Sequence, residues 1–380
     1  MPTIKTAIVG TGFMGKVHAE NVRRLGNIEI AAIVGSRPET AQQFARQLGV
    51  PFATNSLTDV LSEKDIRAVH ICTPNATHFS MAMAAIKAGK AVLCEKPLTT
   101  TADEGRQLLA AAEAAHIVHG VQHNLRYYPL VQQIRQMIAA GDLGDILIVQ
   151  GTYSQDWLLY DTDWNWRIDS HANGKLRVMG DIGSHWMDMI QHLTGLEITA
   201  VCADLATFHP TRKRPKGSVE TFSGKKLQPS DYDEVRIDTE DFGAVLLRLG
   251  DRARGAYTVS QMSAGRKNRF FFEIFGTKAG VAWDQEQPDT LWIGHRNDPN
   301  QIMIKDASLM YPAAAKFADL PGGHSEGYDD SHKQVFKNFY AKLADPAIAT
   351  DFPTFQDGLR GMILLEKVAE SAEKRAWVNV

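Results

Sequence analysis

Two short strings carry side chains able to hold a hydroxyl group and move its proton. The first is Cys94-Glu95-Lys96-Pro97, directly after the apolar run Ala91–Cys94. Ligands of open α/β sheets bind at the carboxyl ends of the strands, so Lys96 is expected to point into such a crevice. Oxidising an alcohol by hydride transfer needs a group to take the hydroxyl proton. A lysine can do this when burial and a nearby cation lower its pKa from the free value of about 10.4. For the tetrapeptide in isolation, a surface ion pair of Glu95 with Lys96 is the competing reading. The second string is Gly180-Asp181-Ile182-Gly183-Ser184-His185-Trp186-Met187-Asp188. On a helix, Asp181, His185, Asp188 and His192 fall on one polar stripe, beside an apolar stripe of Ile182, Trp186, Met189 and Leu193. A carboxylate there can hold a hydroxyl while the imidazole, with a free pKa of about 6.5, relays or accepts the proton. The competing reading is a capping Asp and a hydrogen-bonded surface His. No third ligand cluster accompanies the stripe, so no metal is expected.

A third string supplies a place for a redox partner. Gly10-Thr11-Gly12-Phe13-Met14-Gly15 follows the apolar run Ile4–Val9 and opens a helix. In that context the first glycine permits the tight turn and the second lets the backbone approach a pyrophosphate. The third allows helix and sheet to pack closely. The phosphates would lie on the free N–H groups of the helix N-terminus. A glycine-rich turn without ligand is the alternative. Where NAD enzymes carry Asp or Glu, at the end of the second strand, this chain reads Val34-Gly35-Ser36-Arg37. Ser36 and Arg37 suit a 2′-phosphate and favour NADP. NAD stays open, because Arg37 could equally stack on adenine or face solvent.

These side chains need a scaffold, and its outline shows in the apolar pattern. Continuous apolar runs at Ile4–Val9, Ile28–Val34, Ala68–Thr73, Ala91–Cys94 and Ile117–Val121 suit strands buried on both faces. Helical stretches lie between them, with Thr101-Ala102-Asp103-Glu104 as a capping box and Gly89 as a C-terminal stop. The pattern predicts a doubly wound, parallel-sheet α/β domain over residues 1–124. Beyond about residue 145 come Ile146–Tyr153, Ile198–Phe208, Val235–Leu249, Gly255–Ser260, Arg269–Phe275 and Gly280–Trp283, joined by turns. Helices are expected near Ile182–Leu193, Asp329–Leu343 and Phe355–Arg375. Residues 125–380 are therefore predicted to form an α+β domain with a large, mostly antiparallel open sheet, whose last helix could pack back on the first domain. The segment Pro210–Pro229, with its basic run Arg212-Lys213-Arg214-Pro215-Lys216, reads as a solvated loop. A part in binding an anionic sugar or a second subunit is the minority alternative.

Bulk properties narrow the class. The 380 residues suit two domains, and a net charge of −3 gives no reason to expect a nucleic-acid partner. No apolar run has the length of a membrane span, and the N-terminus shows no signal-peptide pattern. Cys72, Cys94 and Cys202 form no CxxC pair, which favours a reducing, cytoplasmic setting.

With the glycine loop, Glu95-Lys96-Pro97 and Asp181…His185 in this order, the chain resembles the Gfo/Idh/MocA oxidoreductases over nearly its whole length. Thr73-Pro74-Asn75 with His78 resembles the family's loop beside the cofactor. Phe272-Glu273-Ile274-Phe275-Gly276-Thr277-Lys278-Ala279-Gly280 resembles its sheet signature. The resemblance implies an NAD(P)-dependent enzyme with Lys96 as catalytic lysine, Asp181 orienting the substrate hydroxyl and His185 accepting its proton. It implies a cis bond at Lys96-Pro97 and places Glu95 and Asn124 along the cofactor crevice; Trp166 and Arg167 are further cofactor-side candidates. Thr152-Tyr153-Ser154-Gln155-Asp156-Trp157 and Asp163-Trp164-Asn165-Trp166-Arg167 resemble the branch of levoglucosan and other glycoside dehydrogenases. Indole faces bracketed by polar groups suit a sugar, although tryptophans serve equally as core or rim. Arg126, Tyr153, Asp156, Trp157 and Trp164 are thus substrate candidates beside Lys96, Asp181 and His185. His324 and Tyr328, in His324-Ser325-Glu326-Gly327-Tyr328, join them by resemblance to a loop that reaches the active site. The expected substrate is a sugar, glycoside or cyclic polyol, and the expected assembly a homodimer or homotetramer through the C-terminal sheet. A redox-neutral glycosidase or lyase working through a transient keto-sugar is the alternative. A non-catalytic dinucleotide sensor has no need of Lys96, Asp181 and His185 together.

Overall fold

The computed structural model describes residues 3–217 and 231–380. The first compact unit begins with β1 (Ile4–Val9), α1 (Phe13–Arg23), β2 (Ile28–Val34), α2 (Pro38–Leu48), β3 (Phe52–Thr54) and α3 (Leu57–Ser62). It continues with β4 (Ile66–Ile71), α4 (His78–Lys87), β5 (Ala91–Cys94), α5 (Ala102–Ala114) and β6 (His119–Val121). All six strands are parallel, in the order β3-β2-β1-β4-β5-β6. The doubly wound expectation therefore holds: β1, β4 and β5 are buried along nearly their whole lengths, as strands covered on both faces must be. The box before α5 is built from both threonines. Thr101 Oγ1 accepts the Glu104 N–H at 3.2 Å, while Glu104 Oε2 accepts the N–H of Thr100 at 3.1 Å. The edge strand β3, three residues long, was not anticipated; it is too short for its pattern to stand out.

The second unit holds α6 (Pro129–Ala139), β7 (Ile146–Ser154), α7 (Ser170–Asn173), α8 (Ser184–Thr194), β8 (Ile198–Ala206), β9 (Thr211–Pro215) and β10 (Tyr232–Arg236). After these come β11 (Phe242–Leu249), β12 (Ala253–Ser260), β13 (Arg269–Gly276), β14 (Gly280–Asp284), β15 (Thr290–Gly294), β16 (Gln301–Ile304) and α9 (Pro312–Ala315). Two long helices follow, α10 (Tyr328–Ala344) and α11 (Phe355–Lys374), and then β17 (Val378–Asn379). The large sheet runs β16-β15-β14-β13-β7-β12-β11-β8-β17, antiparallel except where β7 pairs with β12. Its inner face buries Val149, Tyr153, Tyr257, Phe270, Phe272, Ile274 and Trp283. On that face Trp186 of α8 stacks on Tyr257, with ring centres 4.4 Å apart and planes within 7° of parallel.

The chain divides less simply than residues 1–124 and 125–380. Residues 328–362, holding α10 and the start of α11, belong with the first unit, and residues 363–380 return to the second. Two further readings are corrected. Val235–Leu249 is not one strand, because Ile237–Asp241 leave the ladder between β10 and β11. The basic run Arg212–Lys216 is not simply a solvated loop: Thr211–Pro215 is β9, paired with β10, and Arg212 is fully buried. The rest of Pro210–Pro229, from residue 218 onward, lies outside the described residues.

Arg212 is buried because Asp241 meets it. Asp241 binds Arg177, accepts from Arg212 Nη2 at 2.8 Å, and takes the N–H groups of Phe208 and His209 at 2.7 and 3.0 Å. Burial alone would push this carboxyl up. Arg177, the His209 amide and Arg212 outweigh that and hold it below the usual carboxylate range. Removing it leaves two buried guanidinium groups without a counter-ion, so Asp241→Asn is expected to cost about 3–5 kcal/mol in urea unfolding at pH 7. A carboxyl whose folded pKa is depressed contributes stability above its unfolded pKa of about 3.9, and loses it as pH falls through the folded value. The gap between wild type and variant should therefore be flat from neutrality to about pH 5 and close in stronger acid.

Candidate active site

In the first unit the glycine loop has the geometry that its sequence demands. Gly10 adopts φ +116°, and a Cβ there would strike the carbonyl oxygen of Cys72. A Cβ on Gly15 would strike the carbonyl of Gly10, so α1 packs against the loop only with glycine at that place. Gly12 is different: a Cβ there meets no atom within 4 Å. Its side faces open space at the start of α1, where no side chain caps the first turn and no acidic residue stands. An unobstructed helix N-terminus of this kind takes a pyrophosphate. Ser36 and Arg37 are exposed after β2, and no carboxylate lies among residues 34–37.

Around this loop the other candidates separate into facing and supporting groups. Lys96 is half-buried after β5, and its bond to Pro97 is cis. Tyr328, at the start of α10, directs its hydroxyl at the sulfur of Met14, 3.6 Å away. It therefore stands over the glycine loop, a place not expected of a substrate candidate. Asn124 is buried and donates to Ser331 Oγ at 2.8 Å. His78 is fully buried, with its two ring nitrogens each 2.9 Å from the carbonyl oxygens of Pro97 and Thr73. It ties the Thr73-Pro74-Asn75 loop to the lysine segment from beneath and is not a cofactor contact. Burial lowers its pKa, against the pull of those two carbonyls. Glu95 is also buried, and His18, absent from the expected site, sits 2.9 Å from its Oε1.

In the second unit Asp181 lies in a π-turn, Met179–Gly183, and α8 begins only at Ser184. The extra residue in the turn breaks the expected stripe. Asp188 goes to a buried, two-point ion pair with Arg126, through Nε at 2.8 Å and through Nη2. Arg126, a substrate candidate, is thereby the buried counter-ion of Asp188. His192 stands 3.4 Å from Gln132 Nε2, with burial first and Arg126 and Arg135 next holding its pKa well below the usual value. Glu240 accepts the N–H groups of Arg177 and Met179 at 2.9 and 2.8 Å and so caps the turn.

The turn presents Asp181 to two donors. Arg167 Nε reaches Oδ1 at 3.0 Å and Gln261 Nε2 reaches Oδ2 at 2.8 Å. His185, also buried, lies beside the Tyr153 ring at 6.2 Å. Tyr153 donates its hydroxyl to Asn268 Oδ1 at 2.9 Å, and Gln155 Nε2 donates to the same oxygen at 2.8 Å. Trp157 donates to Gln155 Oε1 at 2.7 Å. Gln261 and Asn268 therefore belong to the polar shell, although isolated amides in strand ends gave no sequence signal. Trp157 and Trp164 are half-buried against Leu158, Ile168 and Ile237, so both serve the rim as well as any ligand. The Arg167 guanidinium covers Trp166 at 4.5 Å. Asp156, a candidate for sugar contact, is engaged by Lys267 Nζ at 2.6 Å and the Gly265 N–H at 3.1 Å, which close its loop. His324 is exposed on a segment pinned by buried Lys305, whose Nζ meets the His324 carbonyl at 2.7 Å and Glu326 Oε2 at 2.6 Å.

Residues 4–123 match the model of an oxidoreductase family with an NAD-binding Rossmann fold, and residues 131–282 that of the GFO/IDH/MocA C-terminal domain. The chain belongs to the Gfo/Idh/MocA oxidoreductase family. It is 34% identical over 305 residues to a 1,5-anhydro-D-fructose reductase of Ensifer adhaerens, covering 78% of this chain and 82% of the relative. It is 29% identical over 397 residues to a levoglucosan dehydrogenase of Pseudarthrobacter phenanthrenivorans, covering 100% and 99% of the two chains. A solved levoglucosan dehydrogenase in complex with NADH and levoglucosan superposes with a TM-score of 0.88 at 28% identity, covering 100% and 99%. The chain is thus an NAD(P)-dependent oxidoreductase, and its glycine loop is the expected seat of the cofactor phosphates. Among the described residues no helix is long and apolar enough to cross a membrane, and no group of three His, Cys, Asp or Glu is placed to hold a metal ion.

Because the space beside Gly12 is open, Gly12→Val is expected to leave the thermal midpoint within a few degrees of wild type. It should still weaken NADH or NADPH binding by at least about tenfold, since the new side chain stands where a pyrophosphate must approach. Titration of cofactor fluorescence with a parallel melting curve checks both halves.

Proposed function

We propose that this enzyme oxidises, reversibly, a secondary hydroxyl of a sugar, glycoside or cyclic polyol, with Lys96, Asp181 and His185 acting on the substrate. The observation that carries the reading is Asp181: a buried carboxylate held by Arg167 and Gln261, one helical turn before the buried His185. A carboxylate, with about four lone-pair positions, can accept a substrate hydroxyl beside such donors. Bound nicotinamide supplies the hydride acceptor. Lys96 takes the hydroxyl proton, and His185 relays or accepts it, as an imidazole with a free pKa of about 6.5 can near neutrality. Half-buried indoles beside the Asp181 network suit the C–H faces of a sugar. The named activities of the relatives, on levoglucosan and on 1,5-anhydro-D-fructose, point to the same substrate class.

NADP is the proposed cofactor, because Ser36 and Arg37 are open to solvent after β2 with no carboxylate beside them to repel a 2′-phosphate. The setting is proposed as cytoplasmic, in keeping with three unpaired cysteines, Cys72, Cys94 and Cys202. Self-association is proposed through the outer face of the large sheet, where Ile148 and Leu246 are 48% and 50% exposed.

Turnover with a panel of sugars and glycosides, followed at 340 nm, tests the reaction. NAD(P)H should accumulate one for one with oxidised product. Release of product with no net absorbance would instead mean a redox-neutral glycosidase or lyase. Lys96→Met should lower kcat by at least about a hundredfold while leaving the Kd for cofactor nearly unchanged. Unaltered turnover would remove Lys96 from the mechanism. In the same assay Arg37→Ala should raise the KM for NADP about tenfold and barely affect that for NAD, at about 1.4 kcal/mol for a lost charge-assisted contact. A wild type that prefers NAD tenfold would overturn the NADP assignment.

A further inference from the structure

Behind Lys96 the first unit contains a row of polar side chains with no counterpart in the expected site. Glu95 Oε1 lies 2.9 Å from His18 Nε2, His18 Nδ1 lies 2.9 Å from His70 Nδ1, and His70 Nε2 lies 2.7 Å from the Tyr340 hydroxyl. All four residues are at least 95% buried. They come from four elements, the end of β5, α1, β4 and α10. The other oxygen of Glu95, Oε2, accepts the main-chain N–H of Lys96 at 3.3 Å.

Such a row can run in either direction. In the first, Tyr340 donates to His70 Nε2, so the single proton of neutral His70 is on Nδ1 and goes to His18 Nδ1. The single proton of His18 is then on Nε2 and goes to an ionised Glu95. With every bond reversed the row must hold one more proton, on Glu95; a His18 imidazolium would instead donate at both ends, to Glu95 and to His70 Nδ1. A protonated Tyr340 and a neutral His70 are common to all of these: burial keeps the phenol protonated and, together with His18, holds His70 well below the usual imidazole value. The full reversal is set apart by its protonated Glu95. Burial would push the Glu95 carboxyl up. The hydrogen bond from His18 and the neighbouring His18, His332 and Lys96 more than offset this, leaving it below the usual range.

We infer that Tyr340, His70 and His18 form a one-directional donor chain that holds Glu95 ionised and aimed, which makes His18 a positioning residue for the Glu95–Lys96 pair. Its bearing on catalysis rests on Lys96 being the catalytic lysine; the chain itself does not. The groups that face Glu95 are His18 from α1, Cys72 after β4, His78 from α4, His332 from α10, and Cys94 and Lys96 on its own segment. Of these, His18 hydrogen-bonds the carboxylate through its side chain. His332 is a weak rival, because Gln122 donates to its Nδ1 at 2.6 Å and burial holds its pKa at about 3.

The test uses the whole chain without cofactor or substrate. With 15N-labelled histidine, His18 should appear as the Nε2–H tautomer and His70 as the Nδ1–H tautomer, with His70 not titrating between about pH 5.5 and 8.5. With 13C-labelled glutamate and Glu95 assigned by loss of its signal in Glu95→Gln, the carboxyl should remain ionised through the same range. His18→Met removes the donor while keeping bulk, and should move the Glu95 midpoint up by about one to two pH units. His18→Gln returns an N–H near the position of Nε2 and should restore it. The pH profile of kcat should gain a matching acidic limb in the Met variant and lose it in the Gln variant. An unchanged Glu95 midpoint in His18→Met, or a bare Nε2 on His18 in the wild type, would overturn the inference. If that variant fails to fold, Tyr340→Phe serves: the His70 Nε2 resonance should move to the position of an unbonded nitrogen, and no movement would overturn it. Because the resonances need no turnover, failure of the chain and failure of the proposed reaction are seen separately.

Discussion

An ionised carboxylate taken out of water loses more solvation than any one hydrogen bond returns, so it is buried only where several donors converge on it. Much of this fold can be read as the provision of those donors. Asp241 is met by two guanidinium groups and two main-chain N–H groups, Asp188 by Arg126, and Glu240 by two amides at the head of the π-turn. Asp181 is met by Arg167 and Gln261, and Glu95 by His18 and the amide of Lys96. The donors come from segments far apart in the chain. Each buried carboxylate therefore holds together loops and helix ends that hydrophobic packing alone would leave loosely placed.

The same constraint explains which parts of the structure the sequence made legible. Strands β1, β2, β4 and β5, the glycine loop, the capping box at α5 and the outline of the antiparallel sheet follow from local patterns, so apolar runs and turn residues were enough. Roles for polar residues can be proposed from sequence only where a motif names them, as for Lys96, Asp181 and His185. Arg126 and Arg212 show why. Nothing within their own segments marks either as buried, because their counter-ions Asp188 and Asp241 lie 62 and 29 residues away. His18 is a sharper case. It occupies an unremarkable helical position, and its meaning depends on Glu95, which is 77 residues distant, and on His70, at a distance of 52.

The helix carrying Asp181 was misread for a different reason. A regular α-helix places Asp181, His185, Asp188 and His192 in one row, and the sequence reading assigns proton chemistry to the Asp181–His185 pair within it. The π-turn inserts a residue ahead of Ser184 and changes the direction in which Asp181 leaves the helix. It is free to do so because Glu240 satisfies the amides at its head. Asp188 and His192 stay in helical register and turn instead towards Arg126 and Gln132. One inserted residue thus sets Asp181 apart from the α8 row of His185, Asp188 and His192, of which Asp188 and His192 pair with Arg126 and Gln132.

This separation bears on how two buried carboxylates in one enzyme take different parts. Each oxygen of Glu95 has a donor from its own unit, and the row behind it ends in a phenol held protonated by burial. Proton release along that row would require a buried tyrosinate, which the surroundings oppose. Glu95 is therefore suited to remain a fixed negative charge beside Lys96 and ill suited to exchange protons during turnover. Asp181 is held by an arginine and an amide, neither of which can relay a proton onward at neutral pH. On the proposed reading it orients a hydroxyl. The hydroxyl proton passes, on the same reading, to the nitrogen bases Lys96 and His185, while Glu95 and Asp181, each held within its own unit, keep fixed positions.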